Sequence, residues 1–177
     1  IFERDGEALQ RTGVDFNVSL ILGGQIKGEG MRLFQVYSSG NFIEATAETP
    51  YFQVGESKYG KPVLDRVLEA ETPLNEAAKC ALVSMDSTLK SNLSVGFPLD
   101  LVVYEEGRFS SDKIVCIDEN NPYFMMVRNS WGERLRQVFD SIEDPAWNGG
   151  ATDVPIRVDS HRSRHLKKIT GASEKLI

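Results

Sequence analysis

Val14-Asp15-Phe16-Asn17-Val18-Ser19-Leu20-Ile21-Leu22 alternates apolar and polar side chains and closes on an apolar run. A period of two places Val14, Phe16, Val18, Leu20 and Leu22 on one face of an extended chain, the pattern of a strand that buries one side of a sheet. Gly23, Gly24, Gly28 and Gly30 follow closely and permit a tight reversal into a second strand, about Met31 to Ser38. A further turn at Gly40 leads into a third strand, Asn41 to Thr46, and the three read as a β-meander. Upstream, the first dozen residues read as the last turns of a helix closed by Gly13.

Downstream of Tyr51-Phe52-Gln53-Val54-Gly55-Glu56-Ser57 the period becomes helical. Pro62 suits a first helical turn, and Val63, Leu64, Val67 and Leu68 form an apolar stripe. Thr72 reads as an N-cap with Pro73 at the first helical position. Leu74, Ala77, Ala78, Ala81, Leu82, Met85 and Leu89 then recur at three- and four-residue spacing, so this helix packs on one side and ends near Ser91 to Gly96. Strands at Leu99 to Tyr104 and Lys113 to Ile117 are joined by the polar loop Glu105 to Asp112. A last helix, about Ser130 to Ile142, carries Trp131, Leu135, Val138, Phe139 and Ile142 on one face. Strands, two helices, strands and a helix make an α+β chain with helices layered on sheets.

The 177 residues weigh 19.7 kDa, with 41% hydrophobic and 26% charged side chains; such a chain buries a core, and disorder is excluded. No run approaches the eighteen apolar residues of a membrane span, and no membrane association is expected. A net charge of −6 disfavours nucleic acid as a partner, because phosphate contacts need clustered Lys and Arg. The charge is uneven. Residues 148–177 hold six basic and three acidic side chains, leaving −9 on residues 1–147. The expected division is accordingly a domain over 1–147 and a basic, flexible tail over 148–177, joined at Asn148-Gly149-Gly150. Cys80 and Cys116 read as reduced, small core residues of a cytoplasmic protein.

Several short motifs dissolve on inspection. Asn129-Ser130-Trp131-Gly132 matches the asparagine segment of papain-like cysteine proteases, but His161 and His165 lie after it and neither cysteine has the required setting. Gly23 to Gly28 has phosphate-loop spacing, yet Glu29 and Gly30 stand where Lys and Ser or Thr are needed. His161 and His165 are four apart with Arg162 between them, where a zinc peptidase would need Glu. Asn17-Val18-Ser19 and Asn92-Leu93-Ser94 fit the glycosylation triplet without any sign of secretion. Cys80, beside Lys79 on a packed helix, reads as packing rather than a nucleophile.

Longer runs carry a family signal. Tyr51 to Ser57 followed by Lys58-Tyr59-Gly60-Lys61-Pro62-Val63-Leu64-Asp65-Arg66 resembles the strand–glycine–serine–helix passage of proteasome β-subunits. The helix Thr72 to Lys90 running into Ser91-Asn92-Leu93-Ser94-Val95-Gly96 resembles the later active-site segment of that family, which usually reads Asp, two residues, Ser, Gly. Leu22-Gly23-Gly24-Gln25-Ile26, Gly40 to Thr46, Lys58 to Pro62, Ala78 to Thr88 and Asp100 to Tyr104 are similar to the bacterial Anbu ("ancestral beta subunit") subgroup. The resemblance runs from about residue 1 to Trp147.

What the resemblance implies is an αββα four-layer sandwich of the N-terminal-nucleophile hydrolase type and threonine peptidase chemistry. The hydroxyl of an N-terminal threonine attacks a peptide carbonyl, its own amine or a water takes the proton, and backbone N–H groups hold the oxyanion. The nucleophile and its Asp and Lys partners precede Ile1 in family order, and Thr12 is internal. The chain is therefore expected to be the later part of a subunit, without its leading strands and helix and inactive alone. Ser94 matches the serine near the nucleophile's amine. Ser91 takes the place of the usual aspartate, or Asn92 does if the loop is one residue shorter. Ser57 matches the other supporting serine, with Glu56 competing for that place.

The resemblance further implies copies of the same subunit as partners, a peptide or unfolded protein as substrate, and no metal or organic cofactor; it leaves open whether an ATP-dependent unfoldase feeds the particle. The neutral residues at 91 and 92 also leave room for a non-proteolytic amidase or acyl-transfer enzyme of the same fold, or for a silent structural subunit.

Overall fold

A computed structural model describes residues 17–110 and 113–145. Two compact units are distinguished, one ending at Gly132 and the other beginning at Glu133.

Among the described residues, the first unit begins with three antiparallel strands in spatial order β1-β2-β3: β1 (Leu20–Gln25), β2 (Met31–Val36) and β3 (Phe42–Glu44). Leu20 faces Val36 and Gln25 faces Met31 across the first pair, and Val36 faces Phe42 across the second. The expected meander is present with shorter strands. Gly23 and Gly24 are ladder residues of β1, opposite Leu33 and Arg32, which settles the glycine run as a hairpin. β1 starts at Leu20, so Val18 lies outside it; Val14 and Phe16 fall outside the described residues. The apolar face expected to be buried is instead exposed at Val18, Leu20 and Leu22. Periodicity identified the face, while burial depends on what packs against it, and the core lies elsewhere.

Helix α1 (Lys61–Val67) follows with Gly60 at its N-cap position and proline in the first turn, as the position of Pro62 predicts. Helix α2 spans Leu74–Ser91. Thr72 does not cap it, which corrects the expected start by one residue: its Oγ1 accepts the Glu69 N–H at 2.8 Å, and Pro73 holds the N-cap position. The buried side chains of α2 are Cys80, Leu82, Val83, Ser84, Asp86 and Thr88. Burial therefore extends beyond the single expected stripe and includes polar side chains, of which Asp86 and Thr88 are hydrogen-bonded. Thr88 Oγ1, for example, donates to the Ser84 carbonyl at 3.0 Å.

Strands β4 (Leu99–Val103) and β5 (Lys113–Ile117) form a second antiparallel pair with Leu99 opposite Ile117. Gln25 Oε1 of β1 accepts the Gly107 N–H of the β4–β5 loop at 2.7 Å. The main core cluster joins α2 to this pair: Leu82, Ile117 and the fully buried Phe124, with Leu89, Phe97, Leu99 and Leu101 packed around them. Phe97 and Phe124 meet edge to face with centroids 5.4 Å apart, and truncating Phe124 to alanine would cost about 3–5 kcal/mol. Cys80 is buried, as expected. Cys116 is not: it points outward from β5, because the two-strand pair is covered on the Ile117 side.

Phe124 belongs to helix α3 (Pro122–Asp140), which starts well before the expected Ser130. Asn121 supplies the cap, its Oδ1 accepting the Phe124 N–H at 3.0 Å, with Pro122 at the first helical position. The Asn-Pro pair was a legible start signal. Asn129-Ser130-Trp131-Gly132 thus lies within a helix, where no protease asparagine loop exists.

In the second unit, the closing turns of α3 leave Leu135, Val138 and Phe139 exposed, with Ile142 beyond them exposed too. The expected domain junction at 147–148, the basic tail and both histidines lie outside the described residues. Among the described residues no helix is long and apolar enough to cross a membrane.

Candidate active site

The segment Gly55 to Gly60 enters α1 against the side of α2. Gly55 has φ +75°, a left-handed conformation that glycine adopts without strain, and this turn directs Glu56 back toward the end of α2. Gly60 is buried at the other end of the segment, with the Ser84 carbonyl 2.8 Å from the point where a Cβ would stand. A side chain at 60 would push the segment off the helix.

At the far end of α2, Asn92 closes the helix in an extended conformation, its N–H bonded to the Thr88 carbonyl at 2.9 Å. Its side chain works in both directions. Nδ2 donates to Glu56 Oε2 at 2.9 Å, and Oδ1 accepts from the Ser94 N–H at 2.9 Å and the Ser94 hydroxyl at 2.6 Å. The second Glu56 oxygen accepts the Lys58 N–H at 3.1 Å. Glu56 and Asn92 are half-buried and Ser94 is exposed, so a carboxylate, a carboxamide and a hydroxyl form one chain of hydrogen bonds that ends at the surface.

Of the residues singled out from the sequence, the structure brings Glu56, Asn92 and Ser94 together. Ser91 is the exposed last residue of α2, and Ser57 is half-buried beside Glu56; neither joins this set. The hydrogen bond between Glu56 and Asn92 spans 36 residues, so no local pattern could have announced it. With its hydroxyl proton given to Asn92, Ser94 Oγ keeps lone pairs that accept a proton from a donor arriving from outside.

Tyr51, Lys61 and Asp65 form a second polar group. The Tyr51 hydroxyl donates to Asp65 Oδ1 at 2.5 Å, and Lys61 Nζ donates to Tyr51 Oη at 3.1 Å and to Asp65 at 2.9 Å. Hydrogen bonds from Tyr51 and Lys61 hold the Asp65 carboxyl below its ordinary range, and the bond Lys61 donates to Asp65 raises the Lys61 ammonium. Desolvation, then the bond to Asp65, pushes the Tyr51 phenol up. This group staples the approach segment to the first turn of α1; a protonated lysine and phenol are poor nucleophiles. Burial likewise pushes the Cys80 thiol up, the opposite of what a reactive cysteine requires.

A groove of about 500 Å³ lies between α2 and the β4–β5 pair, lined by Lys79, Leu82, Leu101, Ile114 and Tyr123 among others. It is apolar apart from its rim and includes neither Asn92 nor Ser94. Among the described residues no group of three or more His, Cys, Asp or Glu side chains is placed to hold a metal ion.

Neither a family model nor a curated protein matches the chain. Solved structures do. Anbu (ancestral beta-subunit) from Yersinia bercovieri is 59% identical with a TM-score of 0.72, over 78% of this chain and 59% of that one. Anbu from Hyphomicrobium sp. strain MC1 is 54% identical with a TM-score of 0.71, over 78% and 60%. The Anbu complex from Pseudomonas aeruginosa, solved as a helical assembly, is 42% identical with a TM-score of 0.74, over 82% and 64%. The chain spans about three-fifths of the length of these Anbu chains. With that identity carried on a shared fold, it belongs to the Anbu, or ancestral β-subunit, family of proteasome-related proteins.

Proposed function

We propose that this chain forms the later part of a threonine-type peptidase subunit, in which the nucleophile is carried outside these 177 residues and residues 56, 92 and 94 organise its surroundings. One observation carries the reading: the hydrogen-bonded chain from Glu56 through Asn92 to Ser94 lies where two segments distant in sequence meet, and those are the two segments that resemble active-site passages of proteasome β-subunits. In the proposed reaction a threonine hydroxyl adds to a peptide carbonyl, its amine accepts the proton, and an acyl-enzyme is released by water. The part of this chain is positional. Ser94 accepts a hydrogen bond from the amine and holds it beside the hydroxyl that it must deprotonate.

The four-layer αββα sandwich belongs to the same proposal, as do a cytoplasmic, self-associating particle and a flexible basic tail that docks on acidic surface of a neighbouring copy. The assembled state of the Pseudomonas aeruginosa Anbu complex supports self-association here, and a peptide or unfolded polypeptide is the proposed substrate.

The test is made on the intact subunit. Its mature N-terminus is read by mass spectrometry, and fluorogenic peptides are compared with small amides as substrates. Peptide cleavage that is lost on removing an N-terminal threonine and reduced at least tenfold in Ser94→Ala supports the reading. Turnover of small amides with peptides untouched would replace it by an amidase, for which the neutral side chains at 91 and 92 leave room. An intact subunit with no N-terminal nucleophile would leave a structural protein.

A further inference from the structure

Resting on the reading above, we propose that Glu56 is the positioning residue that charges this site: its carboxylate, acting through Asn92, makes the Ser94 hydroxyl an acceptor for a cationic amine. The two segments that meet here, 55–60 and 88–96, contain four ionisable side chains: Glu56, Lys58, Tyr59 and Lys90. Lys58, Tyr59 and Lys90 are exposed and Glu56 is half-buried, so Glu56 supplies the only acid. Both of its oxygens are engaged, one by the Lys58 N–H and the other by Asn92 Nδ2. A carboxamide has one donor end and one acceptor end, and without a partner its orientation is free. The carboxylate claims the donor end and the Ser94 N–H binds Oδ1 at the other, so together they hold Oδ1 toward Ser94. The Ser94 hydroxyl must then donate to Asn92 and turn its lone pairs outward.

The arrangement selects its ligand by chemistry. The outward end of the chain accepts hydrogen bonds and lies in the field of the half-buried Glu56 carboxylate, with Lys58 and Lys90 exposed to solvent, so an ammonium or amine is favoured there over a carboxylate or phosphate. In the proposed reaction that ligand is the α-amine of the nucleophile. An amine seated on Ser94 is separated from Glu56 by a single asparagine side chain, near enough for the carboxylate to raise its pKa by roughly 0.5 to 1 unit. The amine must be neutral to accept the hydroxyl proton. Glu56 therefore places the acidic limb of the reaction at higher pH than a neutral side chain would.

The decisive variants are Glu56→Gln and the exchange Glu56→Gln with Asn92→Asp, made in the intact subunit. The single substitution opposes a donor to the Asn92 donor and removes the anion. In the exchange the carboxamide now at position 56 donates to the carboxylate now at position 92 while still accepting from Lys58. The anion thus returns on the other side of the same hydrogen bond. Two readouts are taken for each: the acidic limb of kcat/KM with a fluorogenic peptide, and the pH dependence of acetylation of the mature N-terminal amine, followed by peptide mass spectrometry.

The proposal expects both profiles to move to lower pH in Glu56→Gln, by roughly 0.5 to 1 unit, and to return in the exchange. If Glu56→Gln lowers activity but leaves both profiles in place, or if the exchange fails to bring them back, Glu56 is a structural hydrogen-bond partner and the proposal fails. The acetylation profile separates this failure from that of the peptidase reading: a protein that cleaves no peptide, yet whose amine profile shifts and is restored, keeps the amine site and loses the peptidase.

Discussion

Gly60 lies against Ser84 at a separation that no side chain at position 60 tolerates: a Cβ there would stand 2.8 Å from the Ser84 carbonyl oxygen and inside contact distance of its hydroxyl. The glycine is required by this approach, since its φ of −89° is open to any residue. The contact sets where the segment bearing Glu56 meets α2, and through it the span between Glu56 and Asn92.

Gly60→Ala should therefore destabilise the intact subunit by about 1–3 kcal/mol, the range of overpacking at a tight contact. Adding Ser84→Ala removes the hydroxyl but not the carbonyl, so rescue should be partial. Urea unfolding of the three proteins checks this, and a fully stable Gly60→Ala would contradict the close approach.

Asp86 is buried in α2 and accepts the Arg128 Nε–H at 2.6 Å, with side-chain exposures of 9% and 41%. The Arg128 guanidinium also covers the Phe124 ring at 5.3 Å and the Phe97 ring at 5.9 Å. Removing the arginine strands a buried carboxylate, so Arg128→Leu should cost about 3 kcal/mol. Arg128→Lys should recover only part, because an ammonium lacks the planar face that stacks on both rings. Equal stability of the lysine variant and the original protein in denaturant melts would show that charge alone matters.

The Tyr51–Lys61–Asp65 group gives a pH signature. The Asp65 carboxyl lies below its ordinary value of 3.8 in the folded protein. A depressed carboxylate contributes stability that is present above the unfolded value and is lost as pH falls through the folded one. Compared with Asp65→Asn, the original protein should keep its advantage at neutral pH and lose it progressively below about pH 4. The raised Lys61 and Tyr51 act with the opposite sign: their contribution is present below the unfolded values and disappears as pH rises through the folded ones. Thermal melts across the acid range up to neutrality test the acid side; an advantage that persists in strong acid would remove Asp65 as its cause.

The two cysteines should differ sharply. Cys80 is buried with its thiol pushed up, while Cys116 is exposed. A colorimetric disulfide reagent should titrate one thiol per chain in the native protein, and the second only after denaturation. Two fast thiols would mean that α2 is not held against its neighbours.

Residues 1–177 expressed alone should self-associate. Leu20, Leu22, Phe42, Ile43, Leu135 and Phe139 are all exposed, and so much apolar surface drives association in water. Light scattering should report polydisperse species, and a monodisperse monomer unfolding cooperatively would count against this.

By itself the sequence determined the order of the elements from β1 to α3, the glycine hairpin, the extent of β5 and the family, while the helix expected over the first dozen residues lies outside the described residues. Those signals are local: side-chain period, turn residues and contiguous runs act over a few residues and survive in one dimension. It also offered Asn121-Pro122, a helix start missed because the apolar stripe of α3 was read only from Ser130 onward. Tertiary structure decided the rest. The stripe in Val18, Leu20 and Leu22 became an exposed face because burial belongs to a pair of surfaces, and Thr72 lost its capping role to a competing amide. Above all, Ser57 and Glu56 competed for one place in the sequence, as did Ser91 and Asn92. The contact of Gly60 with Ser84 brings that loop against the long helix, and only the folded chain joins Glu56 to Asn92 by a hydrogen bond across 36 residues.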